Sequence, residues 1–513
     1  MLLLGKLKVG SDVLSRTCIA LSLGSAIALA TAPTFAQEPS TVVFAQGIDP
    51  LSLDPAQDTT VSSISVMNNI YDTLIFRGDD GLEPGLALSW EYTDPQTLVL
   101  KLREDVTFHD GSPFTAEDVA FTLKRYSDPD KQYPVLAQVT GFYTDVVAID
   151  DHTVEIKTDR PIATLPLMLA RLMILPKKVI EEKGEDAFAQ APVGTGPYKF
   201  VEWRKNEQIV LEASPDHWRG KADVERFIVK PIPEGYSRFA SLKSGAVDII
   251  AGLPADRVKE VEDDSNLKVA AARSVRNFSI AMNVRNKPFD DVRVRQALNY
   301  AVDIPAIIDA IFDGQAYANG TVCTGVSFGH DSSIEPYPYD PEKARQLLAE
   351  AGYPDGFTTE LWGPTGRYPM DKEVQEAVAG QLSEIGVNIV HQQPEWQLYV
   401  RKYLTGEVET MGYMGVGNPT LDCDYSLGQR VDGARGGRYF PSEEIDALIQ
   451  AEQSELDPDK RAGIFSEIQQ IMHDQAAWIF LFDGQDIYGT KSNLIWQPRS
   501  DEVVWAYDIK IED

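Results

Sequence analysis

Residues 413–430, YMGVGNPTLDCDYSLGQR, place Asp422, Cys423, Asp424 and Tyr425 directly after an apolar, Gly-broken run. Two carboxylates around a thiol suit proton transfer, metal ligation or recognition of a polar ligand. Catalysis needs a nucleophile with its base, a carboxylate pair or a metal. Neither HExxH nor CxxC occurs, and the six histidines (His109, His152, His217, His330, His391, His473) all stand more than four residues apart. No local metal motif exists, and neither a metal nor a cofactor is expected. The spacing of His330, seven residues after Cys323, is the one feature that supports a soft metal site. GTGPY (194–198) lacks the GxGxxG or GKS/GKT of a phosphate loop and reads as a loop needing backbone freedom at Gly194 and Gly196. The expectation is a binding protein, not an enzyme, with 413–430 as a pocket wall.

The 513-residue chain opens on a leader. Lys6, Lys8 and Arg16 form a basic region, residues 18–30 are an apolar run, and Thr34 and Ala36 suit cleavage before Gln37. That run is too short to span a bilayer. Residues 1–36 therefore read as a secretory signal peptide, and a periplasmic protein without membrane insertion is expected. Without Lys6, Lys8, Asp12 and Arg16, 44 basic and 77 acidic residues leave a net charge of −33. Such a surface repels nucleic acid and anionic lipid. Cys323 and Cys423 remain, and in an oxidising compartment they form either a disulfide or two buried thiols.

The elements that must position these residues are well signalled. Asp340-Pro341-Glu342 opens a helix with Ala344, Leu347, Leu348 and Ala351 on one face and Gly352 at its end. Asp290-Asp291 and Thr115 open two more. Helices are also expected over 372–385 and 442–475, the latter broken at Asp457-Pro458. Strands read from 97–102, 152–158, 208–213, 227–232 and 278–283. The irregular alternation of helix and strand suggests α/β or α+β domains.

Five pieces follow in order: LVLKLREDVTFHDGSPFTAEDVAFTLKR (98–125), VGTGPYKFVEW (193–203), NVRNKPFDDVRVRQALNYAVD (283–303), YDPEKARQLLAEAGY (339–353) and QLSEIGVNI (381–389). Together they resemble the family 5 extracellular solute-binding proteins of ABC importers, which include dipeptide, oligopeptide and nickel-chelate binders. The resemblance implies a two-lobed periplasmic-binding-protein fold, type II and cluster C-like. Its first lobe would span 37–275 with an extra subdomain at about 82–205. The second lobe would span 276–485, and 486–513 would return to the first. It implies a monomer that captures a small polar solute between the lobes and delivers it to inner-membrane permease subunits. A peptide or modified peptide is the first reading. A sugar conjugate, an opine-like or glutathione-like acid, and a nickel chelate are the alternatives.

In dipeptide-binding relatives an Asp of the second lobe reads the ligand amine and an Arg reads its carboxylate. Arg367, in LWGPTGRYPMDKE (361–373), matches that Arg. The Asp position falls on Asn418 or, slipped, on Val416, and neither can neutralise an ammonium. Asp422 or Asp424 would have to substitute. Trp362, Tyr368, Trp396 and Tyr425 offer faces for stacking. From the first lobe, residues 47–63 offer Asp58, Thr59 and Thr60.

Overall fold

A computed structural model describes residues 39–512 apart from 79–80, 132, 134–141, 435–436 and 438. The leader expected over 1–36 lies outside the described residues.

Two long antiparallel strands, Leu267–Met282 and Trp478–Lys491, organise the chain. Their register breaks between Arg273 and Asn277. Beyond one side of the break, Ile249–Ala251 pairs with the Tyr488–Thr490 end, and Thr41–Gln46, Arg226–Pro231, Gln208–Ala213 and Tyr198–Arg204 continue the sheet. Beyond the other, Met411–Gly417 pairs with Arg276 to Met282, followed by Phe357–Trp362 and Val387–Gln392. The shared sheet serves two large cores and a smaller cluster around Phe239, Leu242, Ile250 and Val261. The first gathers Phe44, Phe227, Ile249 and the C-terminal Trp496, Val504 and Ala506. The second gathers Phe278, Ile280, Leu298, Tyr413, Trp478 and Phe480. A four-stranded antiparallel sheet, Ala87–Asp94, Thr97–Leu102, Thr153–Thr158 and Tyr143–Asp150, packs its buried residues into the first core.

The register break is held by one carboxylate. Asp483 is fully buried and accepts from Arg273 at 2.6 and 2.9 Å, from Asn277 at 2.9 Å, from Asn319 at 3.0 Å and from the Gly325 amide at 2.9 Å. A buried charge survives only when its oxygens are filled in this way.

Local signals explain most elements. Thr115 and Asp118 form a capping box on the helix Ala116–Tyr126. Asp340 caps Pro341–Glu350 by accepting from Lys343 N at 2.9 Å. The expected break near 457 falls between helices Glu443–Ser454 and Pro458–Asp474. Two readings change. The strand expected at 278–283 is only the end of a 16-residue strand, because the half-buried, charged 268–273 portion shows no apolar alternation. Gly194 and Gly196 are required for space, since a Cβ there would lie 2.1 Å and 2.5 Å from the Ile70 backbone. Arg293 pairs with Asp291, whereas buried Arg295 donates to the Phe289 and Gln475 carbonyls.

Candidate ligand-binding site

Between the two cores lies a cavity of about 450 Å³, a size that suits a small organic molecule. One wall is aromatic. Phe76 and Trp505 meet at 5.1 Å between ring centroids, and the Arg219 guanidinium lies 4.0 Å above Phe76 and 4.6 Å from Trp218. The opposite wall is the loop Gly417, Pro419, Thr420 and Leu421, followed by Tyr425.

The cavity's charge opposes that of the chain. The formal net charge is −31, yet the lining holds Arg77, Arg171, Arg219, Arg276 and Arg499 against Asp72, Asp501 and Glu502. Most of these groups have partners. Arg499 binds Asp501 at 2.6 Å, and Arg276 donates to the Gly415 carbonyl at 3.2 Å. Arg77 reaches from the first core to the second, donating to the Thr420 and Leu421 carbonyls at 3.0 and 3.3 Å. Burial pushes the Arg77 guanidinium down, and Asp422 and Asp501 oppose the shift. Arg171, half-buried, has no side-chain hydrogen bond, ion pair or ring contact among the described residues. Burial pushes its guanidinium down too, opposed by Tyr425 and Asp501.

Of the residues expected from the sequence, Thr59 and Tyr425 line this cavity. Asp58 lines only a small adjoining space of about 50 Å³, and its carboxylate is occupied by Leu51 N, Thr60 and Ser63. Burial raises the Asp58 carboxyl, but those hydrogen bonds outweigh burial and hold it below its ordinary range. Thr60 is exposed and bonds Asp58 from the helix start. Asn418 is buried and donates to Ser327 and the Asp422 carbonyl. Asp422 is buried and gripped by Arg461, so it cannot replace the missing amine partner. Asp424 bonds Gln453 at 3.2 Å. Trp362 donates to Glu360, and buried Tyr368 donates to the Gly415 carbonyl. Arg367 is exposed, its guanidinium 5.0 Å from the centroids of both Tyr368 and Trp396. None of Trp362, Arg367, Tyr368 and Trp396 lines the cavity.

Cys323 and Cys423 are joined by a disulfide, so Cys323 offers no thiolate to His330. His330 instead meets Thr321 at 3.4 Å. Residues 325–329, GVSFG, do carry a GxSxG spacing. Ser327 there is buried, its hydroxyl bonded to Thr324 and Asn418 and to no histidine among the described residues. The arginines that dominate the site went unnoticed in the sequence. Their available signal was Trp-Arg at 218–219 and WQPRSDEVVW at 496–505, basic and aromatic residues together in an acidic chain.

Residues 81–437 match the family described as bacterial extracellular solute-binding proteins, family 5 Middle. The chain belongs to this family. Heme-binding protein A of Haemophilus influenzae is 31% identical over 484 residues, covering 88% of each chain. Glutathione-binding protein GsiB of Salmonella typhimurium is 30% identical over 481 residues, covering 89% of this chain and 91% of the relative. The structure of HbpA2 from Haemophilus parasuis superposes with a TM-score of 0.85 at 25% identity, covering 92% of this chain and 100% of that one. The fold is thus the two-lobed α/β fold of periplasmic solute-binding proteins. The protein is a substrate-binding component of an ABC importer, in a family of binding proteins rather than enzymes.

Proposed function

We propose that this protein captures a small solute bearing an anionic group, a peptide or modified peptide, in the periplasm and delivers it to permease subunits. Arg171 carries the reading. A half-buried guanidinium without a hydrogen-bond or ion-pair partner among the described residues, in an arginine-rich cavity, suits a ligand carboxylate bound through two parallel hydrogen bonds. The relatives' names, heme-binding and glutathione-binding, agree with an acidic solute. Residues 37–275 with 486–513 act as one lobe of a monomer, with the extra subdomain at about 82–205, and 276–485 act as the other. Ligand contacts made by both lobes favour the joined arrangement, which Arg77 helps to hold. A second reading, a flat aromatic acid, is favoured by the Phe76–Trp505 wall under Arg219.

The test is mass spectrometry of solutes released from protein purified from an exporting host, beside refolded apo protein. Peptide masses with a free carboxylate support the first reading. A single planar acid supports the second. A solute without an acidic group overturns both.

A further inference from the structure

We infer that Glu502 is the cavity's seat for a cationic group, so that the captured solute carries a positive charge as well as the negative charge taken by Arg171. The inference rests on the capture site proposed above.

Eight charged side chains line the cavity, and six of them are engaged by the protein itself. Asp72 accepts from the Trp218 indole at 3.0 Å, and Asp501 binds Arg499 at 2.6 Å. Arg77 and Arg276 donate to backbone carbonyls, and Arg219 lies on aromatic faces. Arg171 and Glu502 remain. The Glu502 carboxyl accepts no hydrogen bond and joins no ion pair among the described residues. It is therefore the one acid of the lining open to a ligand.

The backbone around it is fixed. Glu502 has a φ of 63°, in the left-handed region that disfavours a residue with a Cβ. Its amide donates to the Arg499 carbonyl at 3.2 Å, and the next amide, Val503 N, donates to Asp501 at 3.1 Å. Val504 N is bonded by Ser65 at 2.8 Å, deep in the first core. The turn thus holds a glutamate where glycine or asparagine would sit more easily, and it does so at the cavity wall. Strained backbone that the surrounding structure enforces is a mark of function.

The electrostatics agree. Burial pushes the Glu502 carboxyl up, Arg276 draws it back, Asp501 pushes it further up, and Arg367 draws it down. Buried Asp486, which Glu502 pushes up, is its acidic neighbour, and Arg276 acts on both carboxyls. A ligand ammonium beside Glu502 would favour its ionised form. The two free charges then suit the opposite ends of a zwitterion.

The test presents refolded apo protein with a mixed tripeptide library bearing free termini, the same library N-acetylated, and the same library C-amidated. Retained species are read by mass spectrometry. Wild type is expected to retain free over N-acetylated peptides at least tenfold, and Glu502→Gln is expected to lose that preference while melting no lower than wild type, since it removes a carboxyl that pushes buried Asp486 up. Arg171→Ala is expected to lose the preference for free over C-amidated peptides instead. Equal retention of free and N-acetylated peptides by wild type would overturn the role of Glu502, as would an unchanged preference in Glu502→Gln. If no library is retained, the peptide reading fails. The solute released from host-purified protein then decides for Glu502: a basic nitrogen upholds its role, and a wholly anionic solute overturns it.

Discussion

Arg461 holds Asp422 with both arms of its guanidinium, at 2.6 and 2.8 Å, beneath the loop whose Pro419, Thr420 and Leu421 face the cavity. The same arginine binds Glu452 at 2.9 Å. Burial pushes the Glu452 carboxyl up to about 10, helped by Asp424, and raises the Asp422 carboxyl as well, while Arg461 draws both down. Asp422→Ala should therefore leave buried Arg461 without its two-armed partner, with only the Glu452 carboxyl beside it. Removing one member of such a pair typically costs about 3–5 kcal/mol. Urea unfolding should show that loss, while the ligand affinity of the folded fraction stays within about threefold of wild type.

Arg77 spans the two cores through a pair of carbonyls. Hydrogen bonds from a charged donor contribute about 1.5–3 kcal/mol each in favourable settings and less when partly exposed. Arg77→Ala should speed release of bound solute by about tenfold and leave the association rate within about threefold. Stopped-flow fluorescence of the cavity tryptophans, Trp218 and Trp505, measures both rates.

Asp486 makes stability depend on pH. Burial and the neighbouring Glu502 push its carboxyl up to about 7, against a Ser274 hydrogen bond and the charge of Arg276. Its Oδ2 is buried without a hydrogen bond among the described residues. Between about pH 4 and 7 the native state keeps a proton that the unfolded chain has released. The contribution of Asp486 to stability therefore falls as pH rises through that window. Asp486→Asn should match wild type at pH 4 and exceed it at pH 8, by roughly 1–3 kcal/mol. Denaturant unfolding at the two values checks this, and a variant that loses stability at pH 8 would contradict it.

Much of the fold was legible because its signals are local. The Asp340-Pro341 start, the Thr115–Asp118 box and the TVEIKT strand need only neighbours within a few residues. The long strand through Arg273 and Asn277 was not, because hydrogen bonds to Asp483, two hundred residues away, hold it in place of apolar alternation. The site was read least well. Asp422 and Asp424 stand in the stretch that forms the pocket wall, but Arg461 and Gln453, from later helices, turn them inward. Arg171 and Glu502 lie 331 positions apart, and their shared lack of a partner exists only in the folded chain.

The central claim is that an acidic group of the captured solute docks on Arg171. Isothermal titration of the solute released from host-purified protein into refolded apo protein tests it most directly, with wild type beside Arg171→Ala. Wild type should bind one equivalent, and the variant should bind at least tenfold more weakly, a loss of about 1.4 kcal/mol or more. Equal affinity in the two proteins would contradict the account.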